Sequence, residues 1–156
     1  MATRDEIDSL TGLRGIAATW VLAYHTGLSP AGYMGVDLFF VLSGFIIAYN
    51  YADAGLAADG ARYRQFLWRR LARIYPAYLV ALLLTVAAVA VLAPWGVPLR
   101  KSAHFTVGGF WASVFMVQAW TMPVPRLWNV PGWSVSAEWA AYLCFPLIAA
   151  RVRRVD

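Results

Sequence analysis

Cysteine is almost missing from this chain: a single one, Cys144, stands in 156 residues. One thiol excludes an intrachain disulfide framework and a cysteine-rich zinc module. Its place inside an apolar run reads as a packing residue. Histidine is scarce as well. The two histidines, His25 and His104, are far apart, and neither an H-x-x-x-H nor a C-x-x-C spacing occurs, so no metal site is expected. Charge is thin, at 13% of residues, where soluble domains carry about a quarter. Acidic groups are the rarer sign, eight against thirteen basic ones, for a net charge of +5. The cations do not spread into the stripe that a nucleic-acid face needs. They gather in short clusters, Arg62, Arg64, Arg69, Arg70 and Arg73 in one, Arg151, Arg153 and Arg154 in another, so no nucleic-acid partner is expected. There is no internal repeat and no low-complexity tract.

Apolar residues are plentiful: 61% of the chain is hydrophobic and 15% aromatic. A bilayer accommodates that composition as about five crossings of about 20 residues joined by short loops. The expected fold is therefore all-α, a polytopic transmembrane helix bundle. Its spans fall at about 11–28, 35–51, 74–93, 105–122 and 133–150, with an Arg-rich segment at 52–73. Residues 63–73 are expected to lie along the membrane surface, with Phe66 and Trp68 at the interface. The small pair Ser43-Gly44, midway along the second span, would let another helix approach closely. The start, residues 1–8, is acidic rather than basic, so the first apolar run reads as a retained helix and not a signal peptide. The positive-inside rule puts the Arg-rich segment and the N-terminus in the cytoplasm and the 26–34 turn outside. Five simple crossings would leave Arg151, Arg153 and Arg154 outside, against that rule. Either 105–122 does not fully cross or later helices set the topology.

The first span holds the chemistry around which the rest is arranged. Arg14 and His25 bracket an apolar stretch with no other ionisable group. Eleven residues are about three helical turns, so the two side chains share nearly one face, about 16 Å apart along the axis. Ionisable groups inside a membrane are costly and usually serve a function. His25 is the candidate base or proton carrier, because an imidazole is the side chain suited to take and return a proton. Asp37, just across the turn, is placed to pair with it and hold its tautomer; a structural hydrogen bond between two helices is the plainer reading. Arg14 reads equally as a snorkelling helix-end cation. Glu138 needs a partner, for which Arg14 is one candidate, or else complements the start of its helix. Arg69, Arg70 and Arg73 form a phosphate-type cluster, Arg69 and Arg73 on one helical face, suited to a nucleotide-like donor or to lipid headgroups. His104, beside Arg100 and Lys101, reads as ordinary surface.

Four segments, in order, resemble the N-terminal part of the acyltransferase 3 family of integral membrane O-acyltransferases. They are residues 10–18 with Tyr24-His25, residues 35–47, residues 66–76, and residues 133–139 through Phe145-Pro146-Leu147. The resemblance implies transfer of an acyl group, acetyl above all, from acyl-coenzyme A as co-substrate to a hydroxyl of a carbohydrate or lipid-linked glycan, in a bacterial inner membrane. It implies that Arg14 and His25 are essential, with His25 either deprotonating the acceptor hydroxyl or carrying the acyl group covalently, and that Arg70 and Arg73 lie at the cytoplasmic donor side. It also implies more spans than this chain holds. The reading is then the donor-binding half of such an enzyme, with a second chain as one source of the remaining helices. Two alternatives stay open from the residues: a non-enzymatic membrane protein such as a proton-coupled transporter component, and an inactive truncated remnant.

Overall fold

The computed structural model describes residues 4–51, 55–96, 105–121 and 128–152. The loop residues Arg100, Lys101 and His104, the prolines Pro123 and Pro125, and the terminal Arg153 and Arg154 lie outside the described residues. The described residues are helical or in short turns, and three of the helical segments are long and apolar enough to cross a membrane: Pro30–Tyr51, Gly60–Trp95 and Val130–Val152. The chain divides into two compact units, Met1–Gly55 and Leu56–Asp156.

The first unit is a helical hairpin. Helix α1 spans Arg4–His25, a 3-10 turn follows at Pro30–Tyr33, and α2 spans Met34–Tyr51. Helix α1 ends where Gly27 takes a left-handed φ of 78°. There the Leu28 amide reaches back to the Ala23 carbonyl and the Gly27 amide to that of Tyr24. This is the Schellman pattern, which favours glycine at its left-handed position. The hairpin closes on two other glycines. A Cβ at Gly32 would lie 2.2 Å from the Trp20 carbonyl oxygen, and one at Gly35 would lie 2.7 Å from that of Ala17. Ala17 is fully buried beneath them. The close approach expected at Ser43-Gly44 is therefore made elsewhere: Ser43 is buried, but a Cβ on Gly44 would meet nothing within 4 Å. Gly32 and Gly35, spaced i and i+3, carried the signal instead. Helix α1 covers residues 11–25 of the expected 11–28 span, the last three lying in the turn beyond it, and it is not among the three segments long and apolar enough to cross a membrane.

The second unit is built on α3, Gly60–Leu92. Asp59 caps it, its Oδ1 accepting from the amides of Ala61 at 2.9 Å and Arg62 at 3.2 Å, with an ion pair to Arg62 at 3.1 Å. The surface helix expected over 63–73 and the span expected over 74–93 are one continuous element of 33 residues. Ala, Leu, Gln and Arg are all good helix formers, so the change in polarity at residue 74 changes the surroundings without ending the helix. Pro76 sits inside it and removes only one ladder donor. At 1.5 Å per residue the helix is about 50 Å long, against about 30 Å of hydrocarbon, so the arginine-bearing end has length to project beyond the bilayer.

The single helix expected over 105–122 is instead two short ones, α4 at Val107–Val114 and α5 at Gln118–Thr121. Thr106 caps α4, its Oγ1 accepting from the Gly109 amide at 3.0 Å. Neither piece is long enough to cross hydrocarbon. After a 3-10 turn at Val130–Gly132, α6 runs over Trp133–Val152. The core gathers Tyr78, Leu82 and Met116, with Leu71, Ile74, Phe110, Val135 and Trp139 packed around them. Cys144 is exposed rather than buried.

Candidate functional site

In the first unit, Arg14 and His25 both lie on α1, as the spacing required. Arg14 is partly buried, whereas His25 is exposed and is the last residue of the helix. The ring of His25 has a definite partner. Its Nδ1 lies 2.9 Å from the carbonyl oxygen of Val21. A carbonyl only accepts, so Nδ1 carries the proton and donates. In the neutral ring the remaining lone pair is then on Nε2, directed away from the helix backbone. The His25–Asp37 pair expected from the sequence is not made: no hydrogen bond or ion pair joins these two residues. The tautomer is held by the residue's own helix, one turn back. Asp37 is exposed in the first turn of α2, where a carboxylate complements the helix dipole.

One tyrosine packs against the histidine, and a second packs against the first. The Tyr24 ring packs edge-on against His25 at 5.4 Å between centroids, and Tyr33 packs against Tyr24 at 6.2 Å. The turn that carries them is tied down by Trp20, whose indole N–H donates to the Ser29 hydroxyl at 3.3 Å. The far end of α1 is thus a fixed platform, with the imidazole at its edge.

In the second unit, the three arginines of α3 do not behave alike. Arg69 and Arg73 are exposed, while Arg70 is partly buried. The Arg70 guanidinium lies 5.5 Å from the centroid of the Phe66 ring and 5.9 Å from that of Tyr142, within cation–π range of both. Phe66 was expected at the membrane interface beside Trp68. It is instead buried, stacked on Phe145 at 5.8 Å, while Trp68 is 70% exposed. The difference follows from helical spacing. Phe66 and Arg70 are four residues apart and face α6 together, and Trp68 points elsewhere.

Glu138 lies on α6, and its carboxyl accepts a short hydrogen bond from the hydroxyl of Tyr142, one turn on. Tyr142 thus touches Glu138 with its oxygen and Arg70 with its ring. The cluster Phe66, Arg70, Glu138 and Tyr142 connects an arginine of α3 to the acidic residue of α6 inside one unit. Sequence reasoning passed over Tyr142, although its i+4 relation to Glu138 was visible. Close by, the Tyr63 hydroxyl donates to the Leu143 carbonyl at 3.0 Å, fastening α3 to α6.

Comparison with known proteins places these residues in a lineage. A family model described as an acyltransferase domain matches residues 7–155. The acyltransferase MdmB of Streptomyces mycarofaciens is 33% identical over 168 residues, covering 96% of this chain and 41% of that relative. The peptidoglycan O-acetyltransferase OatA of Listeria monocytogenes is 33% identical over 153 residues, covering 92% of this chain and 24% of that relative. This chain therefore spans well under half the length of either protein. No solved structure matches.

Proposed function

The chain belongs to the acyltransferase 3 family, and from that premise we propose that it is the donor-binding part of a membrane O-acyltransferase. It takes an acyl group, acetyl by preference, from acyl-coenzyme A on the cytoplasmic side of a bacterial inner membrane. The acceptor is a hydroxyl of a carbohydrate or lipid-linked glycan, a class supported by the resemblance to a peptidoglycan O-acetyltransferase. The longer relatives support a further group of helices, carried by another segment or a second chain.

The observation that carries the chemistry is the hydrogen bond from His25 Nδ1 to the Val21 carbonyl. It leaves Nε2 as the ring nitrogen that can act as the base in this reading. Nε2 takes the proton of the acceptor hydroxyl as the oxygen attacks the thioester carbonyl carbon. The C–S bond then breaks, and the departing coenzyme A sulfur recovers that proton from the imidazolium. Arg14, three turns back on the same helix face, supplies positive charge to the polar face of α1. Asp37 acts from the start of α2 as a second polar group of the hairpin. Arg69 and Arg73, exposed and on one helical face, close on the donor phosphates. Arg70, held between Phe66 and Tyr142, presents its charge from a fixed pose, and Glu138 belongs to the same cluster.

The test is donor binding in lipid nanodiscs, with the wild-type chain compared to the Arg70→Ala/Arg73→Ala double variant. Loss of two phosphate contacts should weaken acetyl-coenzyme A binding by about a hundredfold at low salt and flatten its salt dependence. Equal affinity in the two proteins rejects the donor site.

A further inference from the structure

Residues 105–125 carry no Asp, Glu, Lys, Arg or His, yet they do not make one apolar helix. Helix α4 ends with the Val117 amide donating to the Ala112 carbonyl and the Met116 amide to that of Ser113. This is again the Schellman pattern, with Met116 in its left-handed position at φ 55°, where a side chain is strained. The break is enclosed: Ser113, Met116, Gln118 and Ser136 are all buried. Side chains of the neighbouring helices answer its backbone. The Tyr75 hydroxyl donates to the Val114 carbonyl at 3.2 Å, that of Tyr78 to Ser113 at 2.8 Å and that of Ser136 to Met116 at 2.7 Å. Ser136 Oγ also accepts from the Ala119 amide at 3.1 Å, and Gln118 Nε2 donates to the Gly132 carbonyl at 3.0 Å. A loop at an aqueous surface takes its hydrogen bonds from water. Irregular backbone at membrane depth is tolerated only where protein supplies the partners.

The chain doubles back around this break. Successive residues of α4, Ser113 and Val114, meet Tyr78 and then Tyr75 of α3, so α4 descends toward the arginines. Tyr78 stands fourteen residues before the end of α3 at Leu92, about 21 Å along the axis, which is well inside a hydrocarbon layer of about 30 Å. By Trp128 the chain is back beside the start of α4. The Trp128 indole N–H donates to the Thr106 carbonyl at 2.7 Å, and its ring packs edge-on against Phe105 at 5.1 Å and Phe110 at 5.5 Å. Helix α6 then runs from the level of the break toward the start of α3. Gly132 lies against Tyr78, Tyr142 against Arg70 and Leu143 against Tyr63. The two helices are therefore antiparallel, and the exposed Arg151 in the last turn of α6 belongs to the end where Arg62 and Arg64 stand.

We propose that this stretch is a re-entrant segment whose outer side is covered by lipid acyl chains. It enters the bilayer from the face opposite the arginines, turns at the level of Tyr78 and leaves by the face it entered, so it adds no crossing between α3 and α6. Val107, Trp111 and Phe115, spaced four apart, are each more than half exposed, and the Trp111 and Phe115 rings stack at 6.3 Å. This face is uncharged and large-ringed, like the exposed Val80, Leu83 and Leu84 of α3 in its aversion to water, and hydrocarbon is the partner such a surface fits. The hydroxyl-capped side faces α3 and α6 instead. The arrangement also decides the topology of the basic end. Arg151 stands on the side of Arg62 and Arg64, as the positive-inside rule requires, because residues 105–122 do not cross. The inference rests on the spanning length of α3 and α6 and not on the donor reading.

The experiment uses the whole chain with Cys144→Ser and single cysteines at exposed positions, where a label leaves the packing alone. In nanodiscs, nitroxides on Val107→Cys, Trp111→Cys and Phe115→Cys are relaxed by oxygen, which concentrates in hydrocarbon, and by a water-soluble nickel chelate. Oxygen should dominate at Trp111 and Phe115, and the Phe115 label should lie deeper than the Val107 label by up to about 12 Å. A Phe115 label no deeper than that at Val107 would mean a segment lying along the surface. Low access of both reagents to Trp111 and Phe115 would mean a cover of protein, such as a second copy of the chain. Either result overturns the proposal. Sidedness is read in cells with an impermeant thiol reagent on Arg151→Cys and Ala61→Cys. The two should label from the same side of the membrane; labelling from opposite sides would show that residues 105–122 cross, and the re-entrant segment would be rejected. None of these outcomes bears on the donor site, which acetyl-coenzyme A binding tests separately.

Discussion

His25 can serve as a base only through Nε2, since Nδ1 is committed to the Val21 carbonyl. His25→Gln removes the titratable nitrogen and keeps an amide of similar reach. Transfer is expected to fall by about a hundredfold or more, with acyl-coenzyme A affinity near wild type; retained turnover would remove His25 from the reaction. This position was legible in the sequence because an ionisable ring at the end of an apolar run stands out. Its partner was not, since every residue of the preceding turn offers the same carbonyl. The same contrast holds at Glu138, whose charge is conspicuous, while Tyr142 was read as one more aromatic on an apolar helix. Tyr142→Phe deletes the hydroxyl bonded to Glu138 and spares the ring against Arg70. Losing a hydrogen bond to a charged group should cost about 1.5–3 kcal/mol, read as a lower unfolding temperature in detergent or nanodiscs. An unchanged midpoint would show that Glu138 is equally well served without it.

Among the elements, the helices with clear end signals were readable and the interrupted ones were not. Gly27 ends α1 at the position its conformation demands, and Asp59 caps α3. Met116 ends α4 in the same left-handed geometry with no glycine to announce it, so residues 105–122 looked like one apolar helix. Only packing against Tyr78 and Ser136 makes that turn worth its strain. The α1–α2 contact teaches a similar point. Gly44 looked like the small residue of a helix crossing, yet Gly35 does that work, because it faces Ala17 and Val21 at close range. Gly35→Ala should destabilise the hairpin by about 1–3 kcal/mol through overpacking, and Gly44→Ala, placed in open space, should be neutral or slightly stabilising. Equal effects of the two in a thermal-shift series would contradict this assignment.

For the whole molecule, exposure and apolarity coincide. Leu83, Leu84, Val91, Leu147 and Ile148 are each more than half exposed, a pattern a bilayer resolves by covering them. If the orientation expected from the positive-inside rule holds, with the Arg-rich start of α3 in the cytoplasm, a cysteine replacing Ser29 should react with an impermeant thiol reagent in intact cells, and one replacing Ala61 should not. A Cys144→Ser background is needed, since the native thiol is exposed. The opposite labelling would invert the orientation. The sequence by itself determined the helical class, the family and the apolar runs long enough to span a membrane, and it singled out the charged residues as candidates. These follow from composition and from short-range spacing, which a linear chain displays directly. Tertiary structure alone decided which partner each charge takes: Val21 rather than Asp37 for the imidazole, the Phe66 and Tyr142 rings for Arg70, and a hydroxyl one turn away for Glu138. It also decided that residues 105–122 break and leave Gln118 Oε1 buried and unanswered. Such choices depend on the faces that helices turn toward one another, and that rotation is set by close packing at a few small residues whose roles no local pattern reveals.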